Sequence, residues 1–299
     1  MKFHQYSTVL LGIFGTFLSL STSAQAASFQ SNVTVTDGTV GDIWLNSITQ
    51  NGVTFNNFSF VKEAKILNNT PIVLSTDPAI QGKETSTPGQ YNNNTGAMST
   101  EKGDKATSPL PVSGLNNPTG AEIAAFLGNN NLSNIIDTED WGPVQQFTLN
   151  LTFDSVIEQD GTGLDSLFFW ERGMENGVGN SDLGVQALDE NGNLVGNFIT
   201  LDRNAQTSAG YSIDTTEIGG AQGVGSWGVS LKQLGVTSFK SIQLVSKSTY
   251  NGPDFKVIAR TSANTAKTPE PGTLLGLGAI FGTASLVNRR KQNKTRACV

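Results

Sequence analysis

The stretch Gln146-Phe147-Thr148-Leu149-Asn150-Leu151-Thr152-Phe153 places an apolar side chain at every second position and a polar one between. Successive strand side chains point to opposite faces of a sheet, so this period of two predicts a half-buried β-strand with one wet face. Downstream, Asp165 to Trp170 is apolar on both faces and reads as a central strand. Leu183 to Leu188 and Leu194 to Leu201 flank Asn191-Gly192, a dipeptide that favours a tight hairpin turn. Further strands are predicted at Val53 to Val61, Val224 to Leu231, Phe239 to Val245 and Phe255 to Ala259, and one short helix at Ala121 to Leu127. Many short strands, Gly-rich turns and little helix predict an all-β fold, a β-sandwich of jelly-roll or lectin-like type. No repeat recurs at a fixed period, which argues against a propeller or solenoid.

Between the first strand signals and this region, residues 75–120 are rich in Ser, Thr, Asn, Gly and Pro, with Asn92-Asn93-Asn94 and Pro109-Leu110-Pro111 inside. That composition predicts a long loop or low-complexity insertion. The 48 residues before it are too few to build a core alone, so residues 27–262 read as one domain carrying an insertion.

Both ends of the chain differ from its body. Lys2 gives a short positive segment, Thr8 to Leu20 is an apolar run, and Ala24-Gln25-Ala26 offers small residues ahead of Ala27. These are the parts of a secretory signal peptide over residues 1–26, cut between Ala26 and Ala27. After a linker at 263–268, Pro269-Glu270-Pro271-Gly272 precedes an apolar run from Thr273 to Val287, followed by Arg289, Arg290, Lys291, Lys294 and Arg296. A fifteen-residue helix is roughly 22 Å long, enough to cross a bilayer if its flanks snorkel, and the basic cluster would then stay inside.

Together, Pro-Glu-Pro, short transmembrane helix (about 273–288) and basic terminus resemble the PEP-CTERM sorting tail recognised by exosortases, over residues 269–299. The resemblance implies export by signal peptidase and an inner-membrane intermediate. Exosortase would then act on the tail and release the protein to the cell surface or extracellular matrix. A plain single-pass anchor is the alternative. In the body, Phe169-Trp170-Glu171-Arg172-Gly173, Asn180-Ser181-Asp182-Leu183-Gly184-Val185 and Gly252-Pro253-Asp254-Phe255-Lys256-Val257 are similar to segments of some exosortase-dependent surface proteins. That second likeness names no activity.

The chemistry open to the mature chain is narrow. The single His and single Cys are His4 and Cys298, both in the end segments, which leaves no imidazole base, no thiol nucleophile and no disulfide within residues 27–268. The same residues carry 24 Asp and Glu against 13 Lys and Arg, an acidic balance that argues against nucleic-acid binding. Neither a phosphate-binding loop nor a nucleophile elbow occurs.

Paired carboxylates could still hydrolyse a glycan, and Asp165, Glu171 and Glu175 are the candidates. On one strand, however, Asp165 and Glu171 would share a face about 20 Å apart at strand rise, too far to cooperate. Glu171-Arg172 reads instead as an ion pair on the rim of the sheet. Asp137, Glu139 and Asp140 crowd before Trp141 in what reads as a loop, where hard oxygens could hold Ca²⁺ and the indole could pack on a sugar ring. Asp160-Gly161-Thr162-Gly163 and Asp189-Glu190-Asn191-Gly192 read as turns. The leading expectation is an exported surface or matrix protein without catalytic activity or a required cofactor. A glycan-binding module for extracellular polysaccharide stands second, and a carboxylate-based glycan hydrolase third.

Overall fold

A computed structural model of the chain describes residues 22–23, 28–73, 96–111, 114–138, 146–215 and 220–262. The segment read as a signal peptide, apart from Thr22 and Ser23, the segment read as a sorting tail, and Glu139, Asp140 and Trp141 lie outside these residues. Within the described residues the chain is mostly β-strand, and no helix is long and apolar enough to cross a membrane.

Three sheets stack as layers. The first contains β6 (Val61–Asn69), β9 (Phe147–Glu158), β11 (Leu183–Leu188), β12 (Leu194–Leu201) and β15 (Ser238–Ser246) in the order β12-β11-β15-β9-β6, all antiparallel. Thr22 and Ser23 (β1) add a short parallel edge to β12. The second runs in the order β13 (Thr207–Ile213), β14 (Gln222–Val229), β10 (Leu167–Met174), β16 (Asp254–Arg260), β8 (Asn134–Thr138) and β7 (Met98–Lys102), with β5 (Phe58–Ser59) also on β16. The third holds β2 (Gln30–Val35), β3 (Ile43–Gln50) and β4 (Val53–Phe55). The longer helix, α1 (Gly120–Leu127), is closed at its start by a capping box between Thr119 and Glu122.

Side-chain alternation explains the stacking. In the first sheet, Phe147, Leu149, Leu151 and Phe153 of β9, with Val185 and Ile242, face Leu167, Phe169, Trp227 and Val257 of the second across one buried core. The intervening even-numbered residues of the second sheet, Phe168, Trp170 and Ile258, face the other way, into a second core with Phe29, Ile43, Leu45 and Ile48. The middle sheet is therefore covered on both faces, which is why β10 is buried along its whole length and why its sequence lacks polar alternation. The sequence predicts a β-sandwich of jelly-roll or lectin-like type, and the structure adds a third layer to two packed sheets. The extra layer arises because the N-terminal strands fold back over β10, where the indole of Trp170 donates to Ser31 Oγ at 2.9 Å.

The Asn191-Gly192 turn joins β11 and β12, with Asp189 accepting from the Asn191 and Asn193 backbone N–H groups at 2.8 Å each. Residues 75–120 are not a single loop. Met98–Lys102 forms β7 on the edge of the middle sheet, and Met98, Ser99 and Thr100 are buried there. Its polar sequence, Ser99-Thr100-Glu101-Lys102, conceals the strand because its polar side chains find partners inside the fold: Ser99 meets Asp137 of β8, and Thr100 Oγ1 accepts the Leu115 backbone N–H at 3.1 Å. Val53 to Val61 is broken into β4, β5 and the start of β6.

Candidate functional site

The middle sheet carries an uncommon concentration of buried polar groups at one end. Arg172 pairs with Asp254 in the β10/β16 register, Ile136 pairs with Phe255, and Asp137 pairs with Ser99. Ser99, Asp137, Asp254 and Arg172 thus form one cross-strand row over β7, β8, β16 and β10, all buried. Alternation within each strand turns the row toward the face that also bears Ile135, Trp170 and Ile258.

Arg172 organises the row. Its Nη2 lies 2.6 Å from Asp137 Oδ1 and 3.3 Å from Asp254 Oδ2, and Nη1 donates to Thr215 Oγ1. The Asp254 carboxylate also accepts the Thr138 backbone N–H at 3.0 Å. Burial raises the Asp254 pKa well above the usual carboxylate range, the negative Asp137 raises it further, and Arg172 opposes both.

On the opposite face of the same strand, Glu171 is fully buried and accepts from Ser181 Oγ at 2.6 Å and Gln206 Nε2 at 2.8 Å. Burial pushes its pKa up to about 8 against the pull of these donors and of Arg172. The Gln206 carboxamide fits here because Gly179 and Gly225 have no side chain: a Cβ on either would collide with it. At the other end of the strand, Asp165 accepts from Gln50 Nε2 at 2.5 Å, while its own backbone N–H donates to Gln50 Oε1 at 2.9 Å. Burial pushes Asp165 up to about 6.

These positions revise the site reading. Glu171 and Arg172 do not form an ion pair on a rim: both are buried within β10, they point to opposite faces, and each has separate partners. Asp165 and Glu171 do not share a face either. The chain leaves strand geometry before Leu167, so that Asp165 meets β3 of the third layer while Glu171 meets Ser181 and Gln206. Glu175 is exposed beyond the end of β10. Asp137 belongs to β8 and bonds Arg172, so it stands in the sheet and not in a surface loop; Glu139, Asp140 and Trp141 follow it outside the described residues. Among the described residues, no group of three or more His, Cys, Asp or Glu is placed to hold a metal ion.

Sequence reasoning passed over Asp254 and Lys256 as functional positions, although both lie in a segment it singled out. Lys256 is fully buried, and burial pulls its amine well below the usual lysine range. Neither residue has a local signature, because each acquires its environment from strands and a helix distant in the chain. No protein-family model matches the chain, and no curated protein matches it.

Proposed function

We propose that this chain is an exported cell-surface or extracellular-matrix protein without catalytic activity, cut by signal peptidase after Ala26 and sorted by exosortase through Pro269-Glu270-Pro271. The observation that carries the reading is the joint presence of a signal segment and a tail of tripeptide, apolar run and basic terminus. The architecture is compatible with it: a double core with its charged groups neutralised inside suits a protein that must stay folded outside the cell without disulfides. Replacing Pro269, Glu270 and Pro271 by Ala is expected to leave the protein in the inner membrane, measured by fractionation and immunoblotting. Unchanged processing and surface delivery would favour the plain anchor.

A second reading, a glycan-binding module with a jelly-roll or lectin-like sandwich, draws support from the outer face of the third layer. Trp44 lies between the core residues Ile43 and Leu45 and so turns away from the core, beside its partner Thr34. On the same face Asn46 donates to Thr34 Oγ1 at 2.9 Å, and Asn32 donates to Ser47 Oγ at 2.9 Å and Thr49 Oγ1 at 3.0 Å. An indole set among uncharged amides and hydroxyls provides a stacking plane for a sugar ring and hydrogen bonds for its hydroxyls. Trp44→Ala is expected to reduce retention on a polysaccharide array at least tenfold with an unchanged circular dichroism spectrum. Equal retention of both proteins would remove this face from consideration.

A further inference from the structure

Lys256 sits in β16 with no exposed surface, and its hydrogen bonds go to two neutral oxygens: the Phe126 carbonyl at 2.6 Å and Asn129 Oδ1 at 3.2 Å. An ammonium buried against neutral partners is costly, and the environment favours the uncharged amine. That form is nucleophilic, because its lone pair is not tied up by a proton.

The carboxamide of Asn129 is held as an acceptor for such an amine. Its Oδ1 takes the backbone N–H of Asn131 at 2.9 Å and Nδ2 of Asn134 at 3.5 Å, so donors already face the oxygen on which charge would develop. Its Nδ2 donates to the carbonyls of Ala125 at 3.0 Å and Phe126 at 3.3 Å. The Phe126 oxygen therefore receives hydrogens from both nitrogens, Lys256 Nζ and Asn129 Nδ2. These contacts hold amine and carboxamide together before any reaction, which removes most of the entropic cost of their encounter.

We propose that Lys256 and Asn129 join in an intramolecular isopeptide bond, a cross-link between the middle sheet and the turn that follows α1, set up by the 3.2 Å approach of Nζ to Oδ1 and the Asn131 N–H on that oxygen. The Nζ lone pair attacks Asn129 Cγ, and the carbonyl electrons move onto Oδ1. As the carbonyl re-forms, the bond from Cγ to Nδ2 breaks, and Nδ2 takes one proton given up by Nζ and leaves as ammonia. One amide replaces another, so no oxidant, reductant or cofactor is required. The bond closes a loop over most of the described body, including β8 to β16, and would lock the order of layers in a chain with no cysteine between its end segments.

Peptide mapping of the purified full chain by mass spectrometry tests the proposal independently of how the chain is sorted. The expected result is a branched peptide joining the segments of Asn129 and Lys256, lighter than the two linear peptides by one ammonia. Lys256→Met and Asn129→Ala should each restore linear peptides, and each should lower the melting temperature. Asn129→Asp should still cross-link, with loss of water in place of ammonia. Linear Lys256 and Asn129 peptides from the folded wild-type chain, or conversion of Asn129 to aspartate without a branch, would overturn the assignment. The wild-type map alone decides the matter if the variants fail to fold.

Discussion

Arg172→Leu is expected to lower the unfolding free energy by about 3–5 kcal/mol, the usual cost of removing one partner from a buried ion pair. The leucine keeps much of the packing volume but leaves Asp137 and Asp254 facing each other in a site they cannot leave, since both belong to paired strands. Thr215, the other ligand of the guanidinium, loses its donor as well. Coupling provides the control. If Asp137 and Asp254 are also changed to Asn, the repulsion disappears, and the triple variant should recover a large part of the loss despite carrying more substitutions. Urea denaturation of the three proteins measures this directly; a single variant as stable as wild type would mean that the row is not organised by Arg172.

Stability is also expected to fall as pH rises from about 4.5 to about 8, opposite to the usual behaviour of a protein stabilised by ionised carboxylates. The sign follows from proton counts. Glu171 has an ordinary value of 4.5 and is pushed by burial up to about 8 in the folded protein. Below 4.5 both states hold the proton and the full stability is present. Between the two values only the folded state holds it, so each pH unit removes about 1.4 kcal/mol for this one group, and above about 8 the loss levels off.

Asp165, raised from 3.8 to about 6, adds a loss of the same sign in the lower part of the range, and Asp254, also raised, adds another of that sign. Asp160 works the other way: bonded to Arg260 and Thr162, its pKa is lowered, so its contribution disappears as pH falls through that depressed value. Glu171→Gln keeps an acceptor for Ser181 and removes the titration, so it should flatten the decline between about pH 6 and 8 by a few kcal/mol in total. Thermal melts of both proteins across that range are the measurement. A wild-type melting temperature that climbs from pH 4.5 to 8 would show that Glu171 is ionised in the folded state.

The strand at Phe147 to Phe153, the hairpin at Asn191-Gly192 and the helix at Ala121 to Leu127 were legible because each depends on neighbours in sequence: a period of two, a turn dipeptide, and a short run of residues compatible with a helix. The apolar run through Trp170 likewise marked a strand covered on both faces. Composition alone set the lack of His and Cys over residues 27–268, and the order of segments carried the expectation of export.

What covered β10 was not legible, since two apolar faces call for two partners without naming them. Only the tertiary structure decided that Phe168 and Trp170 meet the third layer while Leu167 and Phe169 meet the first sheet. The same holds for Asp137, Glu171, Arg172, Asp254 and Lys256, whose ionisation and partners come from segments up to 130 residues away in the chain. Sequence spacing determines which side chains share a face. Register and layer stacking determine whether that face is wet or dry, and the cost of desolvation then turns a charged surface residue into a buried, paired or neutral one.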